Sequence, residues 1–144
     1  MARILHPDSP ARARGGLVAA ISTALADMDG GRDPADLRDR LAYAGLALRE
    51  LERSTERTAE AWEHRGYWLK ADQFRREWIW AAESATAILD PLLQGDLPAA
   101  QAAASALLQR LRRAPNTPAA KVPAKGWAGA FERMRNDPRV LQGR

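Results

Sequence analysis

The chain has no cysteine in its 144 residues. That excludes a disulfide framework and any thiolate-ligated metal. No apolar run approaches the ~20 residues that a membrane-spanning helix needs. The opening stretch MARILHPDSPARARGG lacks the apolar centre of a secretory signal. No segment alternates β-branched and polar residues, so no strand is expected. Catalytic signatures are missing as well. There is no phosphate-cradling glycine loop, no nucleophile elbow, no H-E-x-x-H and no Glu-x-x-His of the di-iron bundles. These absences lead to an expectation of a cytoplasmic protein with no membrane span, no catalytic constellation, no metal and no cofactor.

What the sequence does contain is helix-forming composition. Alanine, leucine, glutamate and arginine are all frequent, and all four favour helix. The net charge is +4, but it is unevenly spread. Residues 1–16 carry +2 and residues 114–144 carry +4, whereas residues 17–113 carry −2. The basic character therefore belongs to the two ends. That weakens any reading in which the central part is a broad nucleic-acid surface.

The pattern predicts an all-α fold: an antiparallel four-helix bundle with a long central hairpin and a short C-terminal helix on a proline-rich linker. Residues 1–9 read as an N-terminal arm, with Asp8 or Ser9 as a helix cap and Pro10 at a first helical position. The bundle spans 10–113. Its first helix is expected over 17–28, because Gly15-Gly16 weakens what precedes it. The second opens with Asp33 as cap and Pro34 behind it. Its apolar register is Leu37, Leu41, Ala44, Leu48, Leu51, Thr55, Thr58 and Trp62, the four-three spacing of a bundle seam. The opposite face alternates Arg49, Glu52, Arg53, Glu56, Arg57 and Glu60, which reads as a solvated face with i,i+3 pairs.

That register fails after Trp62 and restarts one residue out of step: Tyr67, Ala71, Phe74, Trp78, Ala81, Ala85, Ile88 or Leu89, and Leu92. Two structures fit the slip. The chain can turn at 64–66 and start a third helix, or one long helix can kink. Gly66 favours the turn, since glycine commonly ends helices. The third helix is expected over 67–93, with Pro91 kinking or ending its last turn. Asp96 should cap a fourth helix over 97–113. Residues 114–125, with three prolines, form the linker. The C-terminal segment 126–144 places Trp127, Phe131 and Met134 on one face.

The stretch from His64 to Ala81 holds three of the five tryptophans. Burying one tryptophan is worth at most ~4–6 kcal/mol, from ~150–250 Å² at about 25 cal/mol per Å². Most should therefore be core, and Trp62 and Trp78 lie on the seams. Trp80 is about 200° around the helix from Trp78, which implies a different groove. Trp68, Arg76 and Trp80 stay outside the seam and are expected at the core rim, against the C-terminal segment or a partner. His64 lies one turn after Glu60. The pair could share a proton or a metal, but an exposed histidine at a helix end explains it more simply.

The functional expectation is a non-enzymatic protein acting through contact with a protein partner or as a homo-oligomer. Trp68, Arg76, Trp80, Trp127, Phe131 and Met134 are the candidate contact residues. A nucleic-acid-associated protein using basic termini is the first alternative. A small-molecule or cofactor-binding bundle is the second.

Overall fold

The computed structural model describes residues 9–30, 33–113 and 126–137. These form five helices and no strand: α1 (Pro10–Leu25), α2 (Pro34–His64), α3 (Trp68–Leu93), α4 (Leu97–Arg113) and α5 (Ala130–Arg135). The expectation of an all-α fold holds. Residues 1–8 of the expected arm, the whole of the expected linker 114–125 and residues 138–144 lie outside the described residues.

α1 starts earlier than expected and runs straight through Gly15 and Gly16. Ser9 caps it, its Oγ accepting from Arg12 N at 3.3 Å, and Pro10 takes the first position. The glycines are tolerated because Arg14, one residue before them, ties this turn to α2. Its Nη1 donates to Ser54 Oγ at 3.3 Å and to Thr58 Oγ1 at 3.0 Å.

α2 is the hub and packs against α1, α3, α4 and α5. Pro34 sits at its start, but the Asp33 side chain makes no cap hydrogen bond. The seam is buried from Leu37 through Leu41, Ala44, Leu48 and Leu51 to Thr55. Leu41, Leu48 and Leu51 meet Ile21, Leu25 and Met28 from the α1 end, and Ile88 and Leu89 from α3, in one continuous core. Buried alanines, among them Ala44, Ala81, Ala85, Ala100 and Ala104, let the helix axes approach closely.

The register slip is a turn. α2 ends at His64, and Gly66 takes φ +82°, a left-handed conformation that suits glycine. Gly66 N donates to Glu63 O and Tyr67 N to Trp62 O, both at 2.9 Å. This is a Schellman closure, which satisfies the last carbonyls of α2. The chain then reverses. Arg49 meets Thr86, Arg75 meets Glu56, and Trp62 meets Phe74. As one number rises the other falls, so α2 and α3 form an antiparallel hairpin.

Pro91 does not itself end α3, which continues to Leu93. It lies in the final turn, where its missing donor costs one bond and the helix stops two residues later anyway. The second turn repeats the first. Gly95 has φ +80°, its N–H donates to Leu92 O at 3.2 Å, and Asp96 N donates to Pro91 O at 2.8 Å. Asp96 then caps α4 as expected, Oδ1 accepting from Ala99 N at 3.1 Å.

α3 has 26 residues and α4 has 17. Both leave the same turn, so the shorter helix gives out near Trp80, where Arg110 sits 5.5 Å over the ring. The first turns of α3, with the end of α2, project beyond α4 as the hairpin tip, which the start of α1 borders on one side. No helix is long and apolar enough to cross a membrane among the described residues.

Candidate functional site

The tip exposes large apolar groups. Tyr67 is 53% exposed, Trp68 64%, Leu69 80% and, two to three turns along α3, Ile79 54%. Tyr67 was expected to begin the core seam of α3. It is instead the residue that both closes the turn and occupies the cap position of α3, with no side-chain cap bond. A phenol has no reach to the first-turn amides, so its ring points outward, with Lys70 Nζ 5.7 Å from its centre.

The tip is held rigidly in spite of its exposure. Arg75 of α3 grips two carboxylates of α2. Its Nη2 donates to Glu56 Oε1 at 2.7 Å, and its Nη1 to Glu63 Oε2 at 2.6 Å. Paired, forked contacts of this kind fix geometry as well as adding energy. The hydrogen bond from Arg75 is the main reason the Glu63 carboxyl titrates below its usual range. Glu63 and then Glu56 raise the Arg75 pKa in turn. Arg76 pairs with Asp72 one turn earlier.

Behind the tip runs a line of aromatic contacts. Trp62 meets Phe74 edge-on at 5.1 Å, Phe74 lies 6.3 Å from Trp78, and Trp78 stacks on Trp80 at 5.7 Å. These rings are half-buried, so Trp62, Phe74 and Trp78 sit at the core margin and not within it as the seams implied. The stacking of Trp78 on Trp80 also corrects the expectation of separate grooves. Indoles reach far enough from the helix axis to meet although their Cα atoms diverge. Arg14 closes the line, its guanidinium 4.9 Å from Phe74 and 5.8 Å from Trp78.

The C-terminal segment lies at the other end of α2. Trp127 is buried, its Nε1 donates to Asp36 Oδ1 at 3.2 Å, and the Arg40 guanidinium stacks 4.1 Å from the indole. Asp39 accepts from Gly129 N at 3.1 Å and Phe131 N at 3.0 Å, capping α5 from a neighbouring helix. Met134 is fully buried and Phe131 packs against the core. Arg40 unites the joint. It also bonds Asp36 at 2.8 Å and donates to Ala24 O, near the end of α1, at 3.0 Å.

The six candidate contact residues therefore separate. Trp127, Phe131 and Met134 pack on their own chain near Asp36 and Asp39. Trp80 is half-covered by Trp78 and Arg110. Trp68 and Arg76 remain on the surface, and the described part of the C-terminal segment, 126–137, packs at the other end of α2. The sequence places Tyr67 on the core seam and gives no sign that Arg14 is buried. Leu69 does carry a signal, since it lies off the α3 seam and on one stripe with Arg76 and Trp80. Among the described residues no group of three or more His, Asp or Glu could hold a metal. Comparison with known proteins found no matching family model, curated protein or solved structure.

Proposed function

We propose that the protein acts through protein–protein contact and not by catalysis, as a cytoplasmic assembly, adaptor or regulatory factor. In this reading α1–α4 form an antiparallel bundle whose role is to present the α2–α3 tip. The observation that carries the proposal is the run Tyr67, Trp68 and Leu69, three consecutive large apolar side chains all more than half exposed. Contiguous apolar exposure of this kind is uncommon on a protein that works alone. Aromatic groups on a rigid support are the usual anchors of an interface, because little ordering cost is added when they bind. The Arg75 grip on Glu56 and Glu63 supplies that rigidity here.

The nucleic-acid alternative has less support. Of the basic groups in the first turns of α3, Arg75 and Arg76 are already paired with carboxylates, which leaves Lys70, 5.7 Å from the Tyr67 ring, as the cation beside the tip aromatics. A phosphate backbone would have to compete with those partners.

Site-directed photocrosslinking in the native cell tests the proposal. A photoreactive residue placed at Leu69 should trap a discrete protein adduct, and the same residue at exposed Arg112 should not. If Leu69 traps nothing and the purified chain shows no self-association by sedimentation, the tip is not a contact surface.

A further inference from the structure

A second surface feature lies where the start of α1 meets the last part of α2. It is an open cleft of about 430 Å³, within the size range that takes a small molecule. Pro10 and Trp62 give it an apolar side, Ser54 and Thr58 line it from α2, and Arg57 and Arg65 bring two guanidinium groups. No carboxylate lines it among the described residues. Arg57 has Glu50 at 4.0 Å, the limit of ion-pair range. Arg65 has no carboxylate partner among the described residues.

The unusual part is what stands behind Ser54 and Thr58. Arg14 is only 7% exposed, and Ser54 8%. The Arg14 Nη1 donates to both hydroxyl oxygens, and no carboxylate pairs with it among the described residues. Its partners are these hydroxyls and the faces of Phe74 and Trp78. Burial lowers its pKa accordingly, as expected for a cation whose lost hydration is only partly replaced. A guanidinium is donor-only. Each hydroxyl oxygen is therefore engaged as an acceptor, and its own O–H hydrogen must find an acceptor elsewhere. Neither hydroxyl donates to any other group among the described residues. Both line the cleft, and a cation on their oxygen side strengthens them as donors.

We propose that this cleft binds the phosphate group of a small phosphomonoester. The Ser54 and Thr58 hydroxyls and the Arg57 and Arg65 guanidinium groups are its donors, and Trp62 packs against its apolar body. Four side chains offering donors and none offering a negative charge suit a dianion with three acceptor oxygens. The first turn of α1 adds the partial positive charge of a helix start. The buried Arg14 charge would be compensated across the two hydroxyls when the anion arrives. Arg14 itself is a positioning residue, since it acts on the ligand through Ser54 and Thr58.

The test is an amide-resolved NMR titration of the full chain at fixed physiological salt. The probes are phenyl phosphate, inorganic phosphate, benzoate and a short single-stranded oligonucleotide. Phenyl phosphate should give saturable shifts confined to residues 54–65 and the first turn of α1, and should bind more tightly than the other three. Arg57→Gln and Arg65→Gln, both at exposed positions, should each weaken it about tenfold, the usual scale for one lost charged hydrogen bond. Thr58→Val should weaken it with no change in net charge. The proposal is overturned by an absence of saturable shifts, or by unchanged affinity in the two arginine variants. It is equally overturned if Thr58→Val, folded by circular dichroism, binds like the parent, which would leave only diffuse charge attraction. Tighter binding of the oligonucleotide at the same residues would replace it with a nucleic-acid site.

Discussion

Leu69→Glu separates stability from contact at the hairpin tip. Leu69 is 80% exposed, so only about a fifth of its side chain leaves water on folding. Full burial of leucine is worth about 1.5–3 kcal/mol, which makes the loss here roughly 0.3–0.6 kcal/mol. Glutamate and leucine have similar helix propensity. The new carboxylate falls in the first turn of α3, which has no acidic residue, and gains about 0.3–1 kcal/mol from the helix dipole. The two effects nearly cancel. Urea denaturation should place the variant within about 0.5 kcal/mol of the parent by this arithmetic. Leu48→Ala, at a fully buried position, should lose about 2–5 kcal/mol in the same assay. Retention on a hydrophobic resin should fall clearly for Leu69→Glu, and any adduct formed through the tip should weaken about thirtyfold or more if Leu69 is an anchor. A stability loss near that of Leu48→Ala would mean that Leu69 is covered. Unchanged retention and unchanged partner capture would mean that the tip is not the contact.

Three further outcomes are expected. Gly45→Ala should destabilise the protein by about 1 kcal/mol or more, because a Cβ there would meet Leu89 Cδ2 at 2.3 Å and Cγ at 2.6 Å. Gly16→Ala, where nothing lies within 4 Å, should stabilise it by roughly 0.5–1 kcal/mol, and thermal melts distinguish the two. Asp39→Ala removes the acceptor of Gly129 N and Phe131 N. It should cost about 1 kcal/mol, expose Trp127 to fluorescence quenchers and speed cleavage around 126–137 in limited proteolysis. The pH dependence follows from Glu63. Its carboxyl is held below its ordinary value of about 4.5 by the Arg75 hydrogen bond, so the folded form binds its proton less readily than the unfolded form. That stabilisation is complete above about pH 4.5 and is lost as pH falls through the lower folded value. Amide protection near the tip, taken relative to the intrinsic exchange rate at each pH, should therefore fall in acid, and Glu63→Gln should remove this step.

Much of the fold was legible because its signals are local. The seam from Leu37 to Thr55 declares one buried face, Gly66 supplies the conformation that ends α2, and Asp96 declares the start of α4. The errors share a physical origin. Periodicity assigns a face to each residue but says nothing of how far the neighbouring helices extend. Phe74 and Trp78 do lie on the inward side of α3, where Trp62 and Arg14 meet them. α4 gives out near Trp80, so those rings are only half-covered, and Tyr67 precedes the helix altogether. The Trp78–Trp80 stack was missed because the angle between Cα positions ignores the length of an indole. Arg14 was missed for a different reason. A basic residue near a chain end reads as surface charge, and only the tertiary placement of Ser54, Thr58, Phe74 and Trp78 makes it a buried one. The tip shows the same limit from the other side: Leu69 shares a stripe with Arg76 and Trp80 off the α3 seam, and only the extent of α4 decides that Leu69 is left uncovered.

The α2–α3 and α3–α4 turns give the strongest internal comparison for the functional reading. Arg65-Gly66-Tyr67 and Gln94-Gly95-Asp96 close their helices with the same two hydrogen bonds and the same left-handed glycine. In each, the third residue ends one helix and opens the next. Asp96 meets the second demand, its carboxylate accepting from Ala99 N. Tyr67 does not, although serine, threonine, aspartate or asparagine at that position is worth about 1 kcal/mol. The same chain thus solves the same turn twice, once with the stabilising residue and once with an aromatic ring directed to solvent. Trp68 and Leu69 extend the departure into the first turn of α3, where acidic groups would help. Departures from local preference concentrate where a protein does something besides fold. The uncapped Tyr67, followed by exposed Trp68 and Leu69 at the end of a braced hairpin, supports the proposal that the tip is a contact surface.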